Sequence, residues 1–557
     1  MQSRINLDLT KERSIMKSTI GISFLLVLII SCSPKKEVMQ ALTLEDSIAI
    51  LASDEFGGRA PGTEGGKLTK NFISKAFKDN NLKPINNKSY FLEVPAVNIK
   101  QKPDSFFSIA FRNVDEKLMP GEDVVFWTKR TSDYEKIRSS ELVFVGYGIV
   151  APEHNWNDYD GIDVEGKTVV ILINDPGFAT GSPRLFNGRS MTYYGRWTYK
   201  YEEAARQGAA AAIIIHDEEP ASYPWSVVES SWSGSQLSLQ RNASEPLPLQ
   251  LESWIHKDTL NRLLQYTGFN LESLQEIALT KTFKPFNLRG LKLNSDIYNS
   301  VNYFKSHNIA AVKKGITRPD EYILFTAHWD HIGKDEADLS GNDNIYNGAV
   351  DNATGVAALL ELSRRFSSLD TDRSILFLSV TLEESGLLGS EYFANNSPIP
   401  LKDIVAGFNF DAIFPSGKSN DMVVVGYGAS ELEDLLETEL IKNNRYINPD
   451  PSPEKGFFYR SDHISFAKKG VPMLYSNNGA DLVDGGRGAA FELSYDYTLN
   501  DYHQPSDEYT NDWEMSGIEQ TVDTIFNVSF ELANSNEWPN WYEDNEFRSI
   551  RDKQRSE

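Results

Sequence analysis

Three short apolar runs, residues 322–326, 374–380 and 404–410, are each followed at once by imidazole or carboxylate side chains. Runs of this length with no polar alternation are strands buried on both faces. Between the first two, residues 352–366 place Val356, Leu359, Leu360 and Leu362 on one face of a helix. Residues 471–474 read as a further short strand. Strand, loop and helix repeated in this way require a mostly parallel sheet with helices on both faces, a doubly wound α/β fold. The carboxyl ends of such strands open into one crevice, and residues just beyond those ends meet there.

Those residues are of few kinds. His328, Asp330 and His331 follow the first run, Glu383 and Glu384 the second, and Asp411 the third. Asp351 opens the helix, and Asp501-Tyr502-His503 stands near the chain end, with Asp507 four residues on. Imidazoles and carboxylates suit zinc and related divalent ions. Two ions sharing one carboxylate need about six ligand positions. His328, Asp351, Glu384, Asp411 and His503 supply them if Asp351 bridges. Glu383 is then left free, as a general base must be. Singly, each residue has a plainer reading. A histidine after a strand is usually structural, Glu383 and Glu384 suit a helix start, and Asp351 suits an N-cap. His331 and His463 are assigned that structural role. Jointly, five such residues at strand ends of one domain point to metal chemistry. Cys32 is the only cysteine, which excludes a thiolate zinc site and an intramolecular disulfide.

A chain of 557 residues is too long for one core and implies two or three domains. Residues 42–84 are helical, with Phe72, Ile73, Ala76 and Phe77 at helix spacing, after a glycine-rich segment at 54–66. Buried strands at 141–148, 166–173 and 208–215, a helix at 199–207, and a strand then helix over 246–264 make a separate β-rich unit. His216 within it reads as core or surface. The last fifteen residues are charged and read as frayed. A net charge of -24 argues against nucleic-acid partners. At the other end, Lys17, an apolar stretch at 21–30 and Ile29-Ile30-Ser31-Cys32 resemble a bacterial signal peptide with a lipobox. This implies a signal segment at 1–32, lipidation of Cys32, and a polar tether at 33–42. The expectation is an exported lipoprotein of the outer membrane, facing periplasm or surface, with only its lipid in the membrane.

Together these motifs resemble the co-catalytic di-zinc aminopeptidases of clan MH, over nearly the whole mature chain. The resemblance implies a zinc-exopeptidase α/β domain at 43–130 and 286–540, an inserted β-rich protease-associated domain at 131–285, and a charged tail at 541–557. It implies two zinc ions per chain, one held by His328 and Asp411, the other by Glu384 and His503, bridged by Asp351. Glu383 resembles the general base, Asp330 the carboxylate that orients His328, and Tyr502 a hydrogen-bond donor to the tetrahedral intermediate. Arg460, in Arg460-Ser-Asp-His463, resembles a partner for a substrate carboxylate. The implied activity is removal of N-terminal residues from peptides or dipeptides. A carboxypeptidase or dipeptidase, a single-zinc glutaminyl cyclase and a non-catalytic binding protein are the alternatives on this scaffold.

Overall fold

Strand β1 (Phe286–Lys313), 28 residues long, runs through the molecule and belongs to two sheets. The computed structural model describes residues 42–241, 246–335 and 341–556. Cys32 and the apolar segment before it lie outside the described residues. No helix among those described is long and apolar enough to cross a membrane.

The first sheet is built on four parallel strands: β2 (Arg318–His328), β3 (Arg373–Val380), β4 (Ile404–Asn409) and β5 (Met473–Asn478). Their spatial order is β3-β2-β4-β5. The C-terminal part of β1 adds antiparallel to β3, and Asp421–Val424 adds antiparallel to β5. Every residue of β3 and β4 is buried, as the unbroken apolar runs require. Alternation along β2 sends Ile323, Phe325 and Ala327 to one face and Tyr322 and Leu324 to the other. On the first face lie helix Leu44–Leu51, helix α1 (Thr354–Ser367) and helix α2 (Ser516–Asn534). On the second lie Phe393, Phe466, Trp541 and Phe547. The register sets His328 opposite Val380 and Thr326 opposite Asn409, so the three strands end level with one another.

The N-terminal part of β1 pairs with Phe106–Phe111 and Tyr134–Phe144 in a second sheet. Within that sheet Ala211–His216 lies parallel between Thr168–Leu172 and Leu251–His256. Two apolar clusters, one around Phe144 and Ile213 and one around Trp254 and Ile214, fill its faces. The sheet takes in strands before residue 131, because Phe111 pairs directly with Leu291 of β1.

The expectation of a frayed C-terminus is corrected. Residues Arg548–Ser556 form a helix, and Trp541, Phe547 and Arg551 are buried. Arg551 Nη2 donates to the carbonyls of Ile404 (2.7 Å) and Val405 (3.3 Å) at the start of β4. The charge pattern that reads as solvated hides one residue whose acceptors are main-chain atoms. Arg551→Ala is expected to destabilise the protein by about 2–3 kcal/mol, the worth of buried hydrogen bonds from a charged donor, measured by urea denaturation.

Candidate metal centre

The turn between β2 and α1 carries Asp351 in non-helical backbone (φ −106°, ψ 93°), and α1 starts only at Thr354. Asp351 is therefore not the helix cap, which removes that plainer reading. Three buried groups hold the turn. Asn352 Nδ2 donates to Phe410 O (2.9 Å), while its Oδ1 accepts from the N–H groups of Gly355 and Ala412, tying the turn to the loop of Asp411. Asp507 accepts from the N–H groups of Val350 (2.9 Å) and Asp351 (3.1 Å). Arg59, fully buried, donates to the carbonyls of Trp329, Asn347, Gly348 and Asp351. Leu382, Ala412 and His503 all have positive φ, 58°, 55° and 58°. These three unusual residues sit beside Glu383, Asp411 and Tyr502, where tight turns aim side chains into the crevice.

Five of the sequence-predicted residues converge. His328 Nε2 lies 3.2 Å from Asp351 Oδ1 and 3.3 Å from Asp411 Oδ1. His503 Nε2 lies 3.2 Å from Asp351 Oδ2 and 3.3 Å from Glu384 Oε2. Asp351 thus turns one oxygen to each histidine. Two ligands each about 2.0–2.1 Å from a shared tetrahedral ion stand about 3.3 Å apart, and all four separations have that value. The donor set and its spacing fit zinc. His331, read above as structural, donates from Nδ1 to Glu384 Oε1 at 2.6 Å. That is a hydrogen-bond length, too short for two ligands of one ion, so His331 orients Glu384. Its signal was the His-x-x-His spacing from His328.

Asp330 stands elsewhere than expected. His328 Nδ1–H donates to the main-chain carbonyl of Asp330 (3.0 Å), which leaves Nε2 facing the carboxylates. The Asp330 carboxylate instead accepts from the N–H of Glu383 (3.2 Å). Tyr502 stacks on the His503 imidazole, ring centres 4.0 Å apart, and is 47% exposed at the mouth of the crevice. Arg460 lies apart from the five, within electrostatic reach of Tyr502. His463 is buried against Phe458 and Tyr475, and burial pushes its pKa down to about 3, so it stays neutral.

Electrostatics divide the adjacent glutamates. Burial raises both, and nearby carboxylates add to this for Glu383, which stands well above its ordinary range despite His328. For Glu384 the hydrogen bonds from His331 and His503 outweigh burial and the charge of Asp351, and its pKa falls to about 2. Burial would lower His328, but Glu383, Asp351 and Asp411 hold it well above its ordinary value. Such a split gives one carboxylate that stays ionised and one that takes up protons.

Residues 308–529 match the model of peptidase family M28. That stretch carries the five residues that converge, His328, Asp351, Glu384, Asp411 and His503. Aminopeptidase YwaD of Bacillus subtilis is 33% identical over 169 residues, 30% of this chain and 34% of that protein. A probable zinc metalloprotease of Pyrenophora tritici-repentis is 35% identical over 105 residues, 19% of this chain. The chain thus spans about a quarter to a third of the length of those curated relatives, 24% and 34%. The solved aminopeptidase of Aneurinibacillus sp. strain AM-1 aligns with 90% of this chain and 95% of its own, at 19% identity and a TM-score of 0.48.

Asp507 is not among the five converging residues; its carboxylate holds the Asp351 turn and also accepts from Tyr497 O–H (3.1 Å). Asp507→Ala is expected to weaken zinc binding about 10–100-fold, the range for residues that support ligands, with circular dichroism unchanged. Competition with a chromogenic chelator measures it.

Proposed function

We propose that this chain is a two-zinc aminopeptidase that releases N-terminal residues from peptides. The observation that carries the reading is Asp351, whose two carboxylate oxygens face His328 with Asp411 on one side and His503 with Glu384 on the other. These five residues would hold two ions, which would supply Lewis acidity to the scissile carbonyl and lower the pKa of an attacking water. Glu383, left out of the ligand set and poised to accept protons, takes the proton of that water and returns it to the departing amine. Asp330 fixes the main chain of Glu383, so the carboxylate is held in place between the two transfers. Tyr502, stacked on His503, donates its hydroxyl to the charge that develops on the carbonyl oxygen. Asp351, Glu384 and Asp411 have histidines as ion-pair partners, and neither they nor Glu383 has a lysine or arginine as one among the described residues. Their negative field favours the free α-amino group of a peptide, which restricts cleavage to the chain end.

We also propose that the protein is exported and anchored by a lipid on Cys32, on the strength of the lipobox-like residues 29–32. Cys32→Ser is expected to move the protein from the membrane pellet to the soluble fraction and to abolish incorporation of labelled palmitate.

The reaction is tested by metal analysis and an assay with aminoacyl anilides. About two zinc ions per chain are expected, with activity lost to chelator and restored by zinc. Glu383→Gln is expected to lower kcat by at least about 10²-fold, the lower range for general-base catalysis, and to retain its metal. Retained activity in that variant refutes the assignment of Glu383.

A further inference from the structure

Helix Gly486–Asn500 stands proud of the fold: of its residues only Tyr497 is buried. Tyr497 ties the helix to the metal centre. Its O–H donates to Asp507 Oδ2 (3.1 Å), and its ring meets that of Phe414 edge-on, centres 5.1 Å apart. Asp507 holds the Asp351 turn, and His503 stands just past the end of the helix. This helix therefore carries one side of the centre.

Its outer face is apolar as well. Phe491, Tyr495 and Leu499 recur at every fourth position, which sets them in one stripe on the side of the helix away from Tyr497. They are 69%, 58% and 65% exposed, and the rings of Phe491 and Tyr495 stack with centres 5.8 Å apart. A helix that is apolar on both faces is one that is covered on both. Around the stripe, Val483, Leu493 and Tyr502 are each about half exposed. At about 200 Å² for a large side chain, these six expose roughly 600–700 Å². The largest apolar patch of an ordinary monomer is about 300–600 Å², and each partner gives about 800 Å² to a stable interface.

Charge and symmetry say what covers the stripe. Residues 481–503 carry Asp481, Asp484, Glu492, Asp496 and Asp501 against a single cation, Arg487. Helices that lie on anionic lipid are rich in lysine and arginine, so this balance is wrong for a membrane. The stripe is instead its own complement. Two copies crossed antiparallel about a two-fold axis at Tyr495 set Phe491 of each against Leu499 of the other, and Tyr495 against Tyr495. The same register brings Arg487 of each copy to the last turn of the other helix, beside Asp501 and the carbonyl ends that favour a cation. Arg487 is exposed and donates to Tyr446 Oη (3.3 Å), with no carboxylate in salt-bridge contact among the described residues. We propose that helix Gly486–Asn500 is the contact surface of a two-fold homodimer, with Phe491, Tyr495 and Leu499 as its apolar centre. On one flank Glu492 and Asp496 of the two copies approach each other, so the contact is held by its apolar stripe and opposed by like charge. The proposal stands apart from the reaction assigned above.

The test uses the zinc-loaded Cys32→Ser protein, which carries no thiol. Sedimentation velocity from nanomolar to tens of micromolar is expected to show a monomer–dimer equilibrium that tightens as salt screens two acidic chains. Phe491→Ser combined with Leu499→Ser is expected to raise the dissociation constant at least about a hundredfold, since each copy loses two anchors. Circular dichroism is expected to hold, because both side chains are exposed. One thiol returned at the axis, Tyr495→Cys, is expected to cross-link two copies on oxidation with copper phenanthroline. Ile316→Cys is the control; it is 62% exposed just before β2, at the end of that strand away from the crevice, and stays uncross-linked. A monomer at every concentration overturns the proposal. So does a dimer that survives the double variant, that salt dissolves, or that cross-links as readily at 316 as at 495. Binding to phosphatidylglycerol vesicles that the double variant loses, without dimer formation, gives the face to a membrane and overturns it too.

Discussion

The buried guanidinium of Arg59 is the contact on which the centre depends. It donates to Leu51 at the end of the first helix, to Trp329 just past β2, and to Asn347, Gly348 and Asp351 in the turn before α1. Burial lowers its pKa only to about 10, with Asp507, Asp351 and Asp330 opposing the drop, so it keeps its charge. From the other side Asp507 takes the amide N–H groups of the same turn. A cation on the carbonyls and an anion on the amides clamp a backbone that neither helix nor strand geometry would hold. Inside a low-dielectric interior each of these bonds is strong, and losing one leaves a polar group stranded. Everything that Asp351 does for the crevice follows from this clamp.

The crevice then sorts like residues into unlike states. Glu383 and Glu384 are neighbours in sequence and both are carboxylates. Glu384 receives two imidazoles and stays charged; Glu383 receives a main-chain fastening through Asp330 and no side-chain donor that would hold it ionised. The difference lies in which hydrogen-bond donors reach each one, and those of Glu384 come from separate places, His331 just past β2 and His503 in the loop after residues 486–500.

How much of this was readable in the chain depends on the range of the interaction. The parallel sheet was legible because β2, β3 and β4 are buried on both faces and so carry unbroken apolar runs. His328, Glu384 and Asp411 are legible because each follows closely on a strand, and sheet topology brings such places together; Asp351 stands in the turn before α1 and His503 in the loop after residues 486–500. Arg59 was not legible. Its acceptors are carbonyls as many as 292 positions away, and a carbonyl leaves no mark on residue type. Arg551 was missed for the same reason. Asp330 was placed correctly in the chain, but its backbone serves His328 and its side chain serves Glu383, a distinction that spacing does not carry. One histidine after a strand is ordinarily structural, and only the 2.6 Å approach of His331 to Glu384 marks it as a positioning residue.

β1 has a consequence for how the molecule comes into being. It pairs with residues 91–101 and 106–111, made some two hundred positions earlier, and with 134–144 and 373–380. Neither sheet is closed until this one strand has been synthesised, and loop closure over such distances is slow. The emerging chain therefore carries unpaired strand edges through the making of nearly 200 residues. The parallel strands that carry the crevice, β2 to β5, are all made after β1, so the first sheet grows on an edge that the second has already supplied.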